Sequence, residues 1–133
     1  MALFCTMNIH HEELVFILFE RIKLILEVPE LSLKTMKRRG SKSDRNYVLG
    51  YISLSKKMIT LDVYTPKTMA PKSLNSMIKT LAHEIAHYQK QPYRQRIKRR
   101  WIFRQHYPEF YQQVETNLQK IREDKTLNLH FES

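Results

Sequence analysis

The sequence predicts an α+β fold of one domain, residues 1–133, for two reasons. Apolar residues recur at helical spacing in three segments, which begin near residues 10, 74 and 108. Three short runs rich in β-forming residues lie between the first two of these segments. We therefore expect an N-terminal helix, a small three-stranded sheet with a hairpin, a central helix and a C-terminal helix. A chain of this length builds a single modest core, and the tail from about residue 125 is expected to be loose.

The N-terminal element is predicted as a packing helix from about His10 to Val28, and Pro29 ends it. Its apolar positions are Leu14, Ile17, Leu18, Ile22, Ile25 and Leu26. We expect His10 and His11 to be exposed and without a metal, because nothing in the sequence brings them near the central helix.

Three strand candidates follow, at residues 31–37, 47–53 and 58–64. The last two form a predicted hairpin, with Ile59, Leu61 and Val63 on one face of its second strand. The intervening Ser55 to Lys57 lacks the favoured Asn-Gly chemistry, so we expect a longer or bulged connection.

The central helix is predicted from an apolar stripe at i, i+3, i+4 and i+7 spacing, with Ser73 as N-cap and Pro92 beyond its end. The stripe consists of Leu74, Met77, Ile78, Leu81, Ile85 and Tyr88. On a helical wheel, His83 and His87 fall at about 180° and 220° from Leu74. We therefore expect both histidines to face away from the core.

His83, Glu84 and His87 form a His-Glu-x-x-His pattern within this helix. Histidines one turn apart lie on nearly the same face and can hold one zinc ion, while the adjacent glutamate can polarise a metal-bound water. The alternative is a pair of solvated histidines without a metal. The intervening glutamate and the small Ser76 and Thr80 on the same face favour the zinc site.

A catalytic zinc normally takes three protein ligands and keeps a position for water, so one more ligand is required. The candidates are His106, Glu109, Glu115 and His130. We favour His106, because a loop just before the Pro108 helix can direct an imidazole inward. Glu109 suits the helix dipole without any metal, Glu115 is the option if the ligand is a glutamate, and His130 lies in the tail.

The chain after Pro92 is predicted to be partly helical. Tyr93, Ile97 and Trp101 are four residues apart, which is typical of one helix edge. A final helix opens at Pro108. Its apolar side comprises Phe110, Val114, Leu118 and Ile121, and Phe110 is expected to anchor the helix start in the core.

The net charge of +10 comes largely from two clusters, residues 34–45 and 94–104, which each hold six of the 23 cations. The first is predicted to be a mobile loop. One interpretation is a solvated surface. We favour contact with DNA, single-stranded or distorted, because aromatic residues able to stack on bases stand among the arginines of the second cluster.

The cellular setting is predicted to be intracellular, in the cytoplasm or, in a eukaryote, the nucleus. The single Cys5 cannot form an intramolecular disulfide, which suits a reducing compartment. The longest apolar run, Leu14 to Phe19, is far too short to span a membrane, so we expect no signal peptide and no membrane partner.

Two segments, residues 83–87 and 106–110, resemble the motifs of the SprT-like zinc metallopeptidases, which include the Spartan proteases that degrade proteins crosslinked to DNA. The family motifs are His-Glu-x-x-His and His-x-Pro-Glu-Phe, and the resemblance covers roughly residues 10–120. It implies a minimal zincin-like metallopeptidase fold. By the resemblance, His83, His87 and His106 are zinc ligands, and Glu84 is the general base that activates the zinc-bound water for hydrolysis of a protein or peptide substrate. Tyr107 departs from the family, whose members commonly have glycine there.

Other interpretations remain open. No methionine follows the His-Glu-x-x-His segment, which excludes the Met-turn of metzincins, but a small gluzincin with a glutamate as third ligand is an alternative. A basic nucleic-acid-binding module with a non-catalytic zinc site is another, and a hydrolase for other substrates a third. We expect a peptide to lie against an exposed sheet edge. The tyrosines that could stabilise an oxyanion are Tyr88, Tyr93, Tyr107 and Tyr111.

Overall fold

The computed structural model describes residues 2–36, 49–64, 70–125 and 127, with side chains from residue 11 onward. The helices are α1 (Ala2–Leu26), α2 (Leu74–Gln89) and α3 (Pro108–Glu123), and the strands are β1 (Ser32–Met36), β2 (Gly50–Ser53), β3 (Met58–Asp62), β4 (Tyr93–Ile97) and β5 (Arg100–Arg104). Within the described ranges this is an α+β arrangement of three helices and two small sheets, which confirms the predicted class. Most of the basic segment 34–45, most of the predicted loose tail and His130 lie outside these ranges.

The larger sheet has the strand order β1-β3-β2. β1 runs parallel to β3, whereas β2 pairs with it antiparallel, from Ser53 opposite Met58 to Gly50 opposite Leu61. The predicted hairpin is therefore confirmed. Its connection takes four residues, 54–57, and ends on Lys57 at a φ of 53°. Because β2 lies at an edge, its outer side is not paired within this sheet.

The main core is formed by the sheet, α1, the apolar stripe of α2 and the second half of α3. Its most deeply buried members include Phe19, Ile22, Leu31, Ile59, Leu61, Ile78, Leu81, Ile85 and Ile121. Thr60 and Asp62 are buried as well, so both faces of the central strand β3 are shielded from solvent. The alternation predicted for this strand thus correctly predicts the burial of its apolar side chains, but not the burial of the residues between them.

Helix α1 begins at Ala2, well before the predicted start at His10. His11 is half-buried, and its Nε2–H donates to the carbonyl of Val63 at 2.9 Å while its ring packs on Tyr64. The prediction that His11 is exposed is therefore wrong, because the chain that leaves β3 passes over α1 at this position, well inside the helix. The side chain of His10 lies outside the described set. No described helix has the length and apolar character needed to cross a lipid bilayer.

The segment after α2 is a β-hairpin, so the helix predicted from Tyr93, Ile97 and Trp101 is wrong. Strand β4 pairs antiparallel with β5, from Tyr93 opposite Arg104 to Ile97 opposite Arg100. A helix of this length would separate its ends by about 18 Å. The hairpin instead returns the chain beside the end of α2, which places residue His106 near that helix.

Candidate metal centre

Helix α2 carries the His-Glu-x-x-His segment between two packed layers. The Oγ atom of Ser73 accepts a hydrogen bond from the N–H of Ser76 at 3.2 Å, so the predicted N-cap is confirmed. The apolar stripe faces the main core, but the opposite side of the helix is also covered, in part by α3. His87 is only 9% exposed and His83 is half-buried. A helical wheel predicts one buried face, whereas packing on a second element buries part of the other.

Three imidazoles converge beside α2. One ligand nitrogen from each of His83, His87 and His106 can be chosen so that all three lie within 4.8 Å of one another. The ring centroid of His106 lies 5.4 Å from that of His83 and 4.9 Å from that of His87. His106 follows β5 and precedes Pro108, which occupies the first turn of α3. The structure therefore brings the favoured third candidate next to the histidine pair.

Phe110 forms the floor beneath these imidazoles. Its ring stacks on His87 with a centroid distance of 4.3 Å and meets His83 and His106 edge-on at 5.0 and 5.2 Å. It is fully buried, as the sequence predicted for an anchor of α3. Its contact with the three histidines was not predicted, although its position one helical turn after His106 is a signal that could have suggested it.

Tyr107 ties the loop of His106 to the end of α2. Its hydroxyl donates to the carbonyl of Gln91 at 3.1 Å, and its ring meets Tyr93 edge-on at 5.0 Å. The side chain is 8% exposed and packs in a small apolar cluster with Ala86 and Phe110. The residue at which this chain departs from the SprT-like motif thus has a structural contact of its own.

Asn117 links α3 to the part of α2 that carries His83 and His87. It is fully buried, and its Nδ2 donates to the carbonyl of Ala82 at 3.2 Å and to Oε1 of Gln89 at 2.8 Å. Its Oδ1 accepts from Gln113. Ala82 directly precedes His83, and Gln89 follows His87 by two positions. These bonds therefore hold α3 at one register against the segment that carries both histidines.

The histidine pair is held in the form that binds metals. Burial, together with the neighbouring His83 and His106, lowers the pKa of His87 to about 4. Burial, followed by the proximity of His106, also lowers the pKa of His83. Both imidazoles are therefore neutral near pH 7, and a neutral imidazole has the lone pair that a metal requires.

Glu84 is a buried carboxyl group between two hollows. It is 7% exposed, and burial raises its pKa to about 7. A cleft of about 520 Å³ opens on one side. Its lining residues are Tyr51, Ile52, Leu54, His83, Glu84, His87, Pro92, Gln105 and His106. A second hollow of about 420 Å³ also borders His83 and Glu84 and continues past Thr80 and Lys79.

Strand β2 forms one wall of the groove that the cleft and the second hollow make together. Gly50 allows the close approach, because a Cβ atom there would lie 3.0 Å from the carbonyl oxygen of Thr60 and 3.1 Å from Cγ2 of Thr80. Thr80 stands one helical turn before Glu84, so the edge of the sheet lies next to that carboxyl group. Tyr51, which is 48% exposed in this wall, was not predicted as a site residue.

The other candidates lie apart from the three histidines. Glu109 and Glu115 are exposed and belong to no metal-holding group found in the described ranges. Among the tyrosines considered for an oxyanion, Tyr88 donates its hydroxyl to Glu30. Tyr111 stacks beside His106, with ring centroids 6.1 Å apart.

The donor set fits a metal ion. Tetrahedral zinc with bonds of about 2.0–2.1 Å holds nitrogen ligands about 3.4 Å apart, which rotation of the imidazoles from their separation of up to 4.8 Å can provide. Three imidazoles suit zinc, copper or nickel, so the donors alone do not select the metal. Comparisons with protein-family models, curated proteins and solved structures found no match. Function is therefore inferred from the site itself.

Proposed function

We propose that this protein is a zinc-dependent metalloendopeptidase of zincin-like fold, related to the SprT-like enzymes. One observation carries the proposal. His83, His87 and His106 converge within 4.8 Å, and the buried Glu84 lies beside them in a cleft. Of the metals that imidazoles accept, zinc is the one that this combination of histidines and an adjacent glutamate typically holds in peptidases.

The arrangement supports a catalytic metal more than a structural one. A structural zinc site normally closes with a fourth protein ligand. The group found in the described ranges has three members, and His106 is exposed at the cleft. The gluzincin alternative requires a glutamate as third ligand, but Glu109 and Glu115 are not part of this group.

The proposed mechanism assigns one role to each side chain. Bound zinc would supply Lewis-acid activation of water and of the scissile carbonyl. His83, His87 and His106 hold the ion. Glu84 removes a proton from the attacking water as its oxygen adds to the carbonyl carbon, and then passes that proton to the leaving nitrogen as the C–N bond breaks. Burial of Glu84 raises its basicity, and a nearby cation would keep enough of it ionised at neutral pH.

The substrate is proposed to be an extended polypeptide lying along the outer edge of β2. That edge borders both hollows through residues 49–52, and main-chain pairing there would hold a peptide without demanding one sequence. Because the two hollows lie on either side of Glu84, chain can continue beyond the site in both directions. This favours cleavage within a polypeptide over removal of terminal residues.

Contact with DNA remains the second candidate. The hairpin β4–β5 presents Trp101 at 66% and Phe103 at 59% exposure, and its register places them opposite Arg96 and Arg94. If these side chains bind single-stranded DNA, the affinity of the protein for DNA falls steeply as the salt concentration rises. Binding of an oligonucleotide over a range of salt concentrations tests this candidate separately from hydrolysis.

The peptidase proposal is tested with the purified, zinc-loaded protein and a quenched fluorescent peptide library. Glu84→Gln preserves the shape of the side chain but removes the base, so we expect full zinc content and a loss of activity of about a hundredfold or more. Glu109→Gln, an exposed change in the second motif, serves as the matched control. Activity of Glu84→Gln near that of the wild type would contradict the mechanism.

A further inference from the structure

The hairpin β4–β5 rises directly from the rim of the cleft. Pro92, immediately before β4, and Gln105, immediately after β5, both line the cleft that Tyr51 and Ile52 of β2 also line. Tyr93 and Arg104 are paired across the base of the hairpin. A polypeptide that lies along β2 and continues past His106 therefore leaves the groove at this base.

The hairpin concentrates positive charge without internal compensation. It contains Arg94, Arg96, Lys98, Arg99, Arg100 and Arg104 and no acidic residue. None of these six cations forms an ion pair within the described ranges. In the register, each strand cation stands opposite an uncharged residue and never opposite another cation. This pairing avoids the cross-strand repulsion that would otherwise oppose such a charge density.

The tip of the hairpin keeps its cations in an unfavourable backbone conformation. Lys98 and Arg99 have φ values of 48° and 68°, as the two central residues of a type I′ turn require. Asparagine and glycine adopt this conformation with less strain. The turn residues thus depart from the chemistry that would best stabilise the hairpin, and the departure adds two charges.

The six cations of the hairpin differ in their distance from the rim of the cleft, and only the nearest can act electrostatically on a substrate there. A strand advances about 3.3 Å per residue, so Arg94 lies about 7 Å from Pro92, and Arg104 is adjacent to Gln105. The tip lies about 20 Å from the same rim, well beyond the Debye length of about 8 Å at physiological ionic strength. Arg104 is also oriented, because its Nε donates to Oε1 of Gln95 at 3.0 Å.

We propose that Arg94 and Arg104 make the cleft select polypeptide segments that carry acidic residues at the hairpin end of the groove. This inference rests on the proposed peptidase function and adds a substrate class to it. The preference is assigned to the hairpin end because, among the described residues, Lys79 is the one cation that lines the hollow beyond Glu84. Polypeptide is favoured over nucleic acid for these two arginines because they stand at the base of the hairpin, beside the cleft-lining residues Pro92 and Gln105. The Trp101 ring, farther along the hairpin, has Arg96 over it, 6.0 Å from its centroid.

The test compares cleavage of matched peptides by the zinc-loaded protein. All share one uncharged, cleavable core and carry a run of glutamates, glutamines or lysines on either the N-terminal or the C-terminal flank. We expect glutamates on one flank to raise kcat/KM about three- to tenfold over glutamines at low salt, lysines there to lower it, and added salt to reduce both effects. The other flank should have a weaker influence.

Two double variants with the same change in charge locate the effect. Arg94→Gln with Arg104→Gln should abolish the preference, so that this variant cleaves glutamate and glutamine peptides with equal kcat/KM. Lys98→Gln with Arg99→Gln should retain the preference.

Three results would overturn the proposal. Equal cleavage of glutamate and glutamine peptides by the wild type removes the preference and leaves the peptidase function intact. Equal loss of preference in both double variants assigns the charge to general attraction, as expected of a nucleic-acid surface. Failure of the wild type to cleave any peptide refutes the peptidase function and this inference together.

Discussion

Replacing Glu84 by glutamine is expected to stabilise the metal-free protein above pH 7 and to change its stability little below pH 4.5. The side chain is 7% exposed, and its pKa rises from 4.5 to about 7 on burial. That difference corresponds to about 3 kcal/mol, which is the free energy spent on burying the ionised carboxylate. Glutamine has the same shape and no charge, so the variant avoids this cost.

The sign follows from proton linkage. Between pH 4.5 and about 7, the folded protein binds a proton at Glu84 more strongly than the unfolded chain does, so wild-type stability falls as pH rises through this window. The lowered pKa of His87 has the opposite effect, since its contribution is lost as pH falls from 6.5 towards about 4. Both proteins contain this histidine, so its effect largely cancels in their difference.

The assay is urea unfolding followed by circular dichroism, with chelator present, at several pH values from 4 to 8. Above pH 7 the variant should gain up to about 3 kcal/mol in the free energy of unfolding, or about 10 °C in Tm. Glu109→Gln, at an exposed position, should change it by less than about 1 kcal/mol. Added zinc should narrow the difference, because a cation stabilises the carboxylate. A difference of the same size at pH 4 and pH 8 would refute the assignment of a buried, charge-destabilised Glu84.

Three further predictions concern the histidine cluster and its supports. His106→Ala should leave metal-free stability nearly unchanged but abolish the stabilisation by zinc, which for the wild type raises the free energy of unfolding by about 2.7 kcal/mol at a hundredfold excess over Kd. A full rise in Tm on adding zinc to the variant would exclude His106 as a ligand. Phe110→Ala should lower the free energy of unfolding by about 3–5 kcal/mol and weaken zinc binding, since it removes the ring that packs under three imidazoles. An unchanged free energy of unfolding in calorimetry and an unchanged zinc Kd in chelator competition would contradict that role. Asn117→Leu should raise the Kd for zinc, measured by chelator competition, about 10- to 100-fold. Val114→Ala on the same helix is the control and should mainly reduce stability; an equal effect of both variants on the Kd would assign Asn117 to packing alone.

Much of the local structure could be predicted because it depends on residues close in sequence. The cap at Ser73 and the apolar stripe of α2 follow from the helical period, and the β2–β3 hairpin follows from two β-rich runs joined by a short polar connection. Prediction failed where local spacing was ambiguous. Tyr93, Ile97 and Trp101 fit a helix edge, but the chain between Pro92 and His106 forms a hairpin that brings its two ends together.

The sequence by itself determined which chemical groups can meet on one helix. His83, Glu84 and His87 are adjacent because a turn of helix takes 3.6 residues, whatever the rest of the chain does. The tertiary structure alone decided that His106 returns to the pair, that Phe110 lies beneath all three rings, and that Asn117 sets the register of α3.

Burial is the second property that only the tertiary structure decided. A helical wheel places both histidines on the far side from the core, but α3 and the edge of β2 cover that side. The resulting loss of water lowers the pKa of His87 and raises that of Glu84. These shifts come from elements distant in sequence, and desolvation depends on all the atoms around a group, so no local pattern of residues contains them.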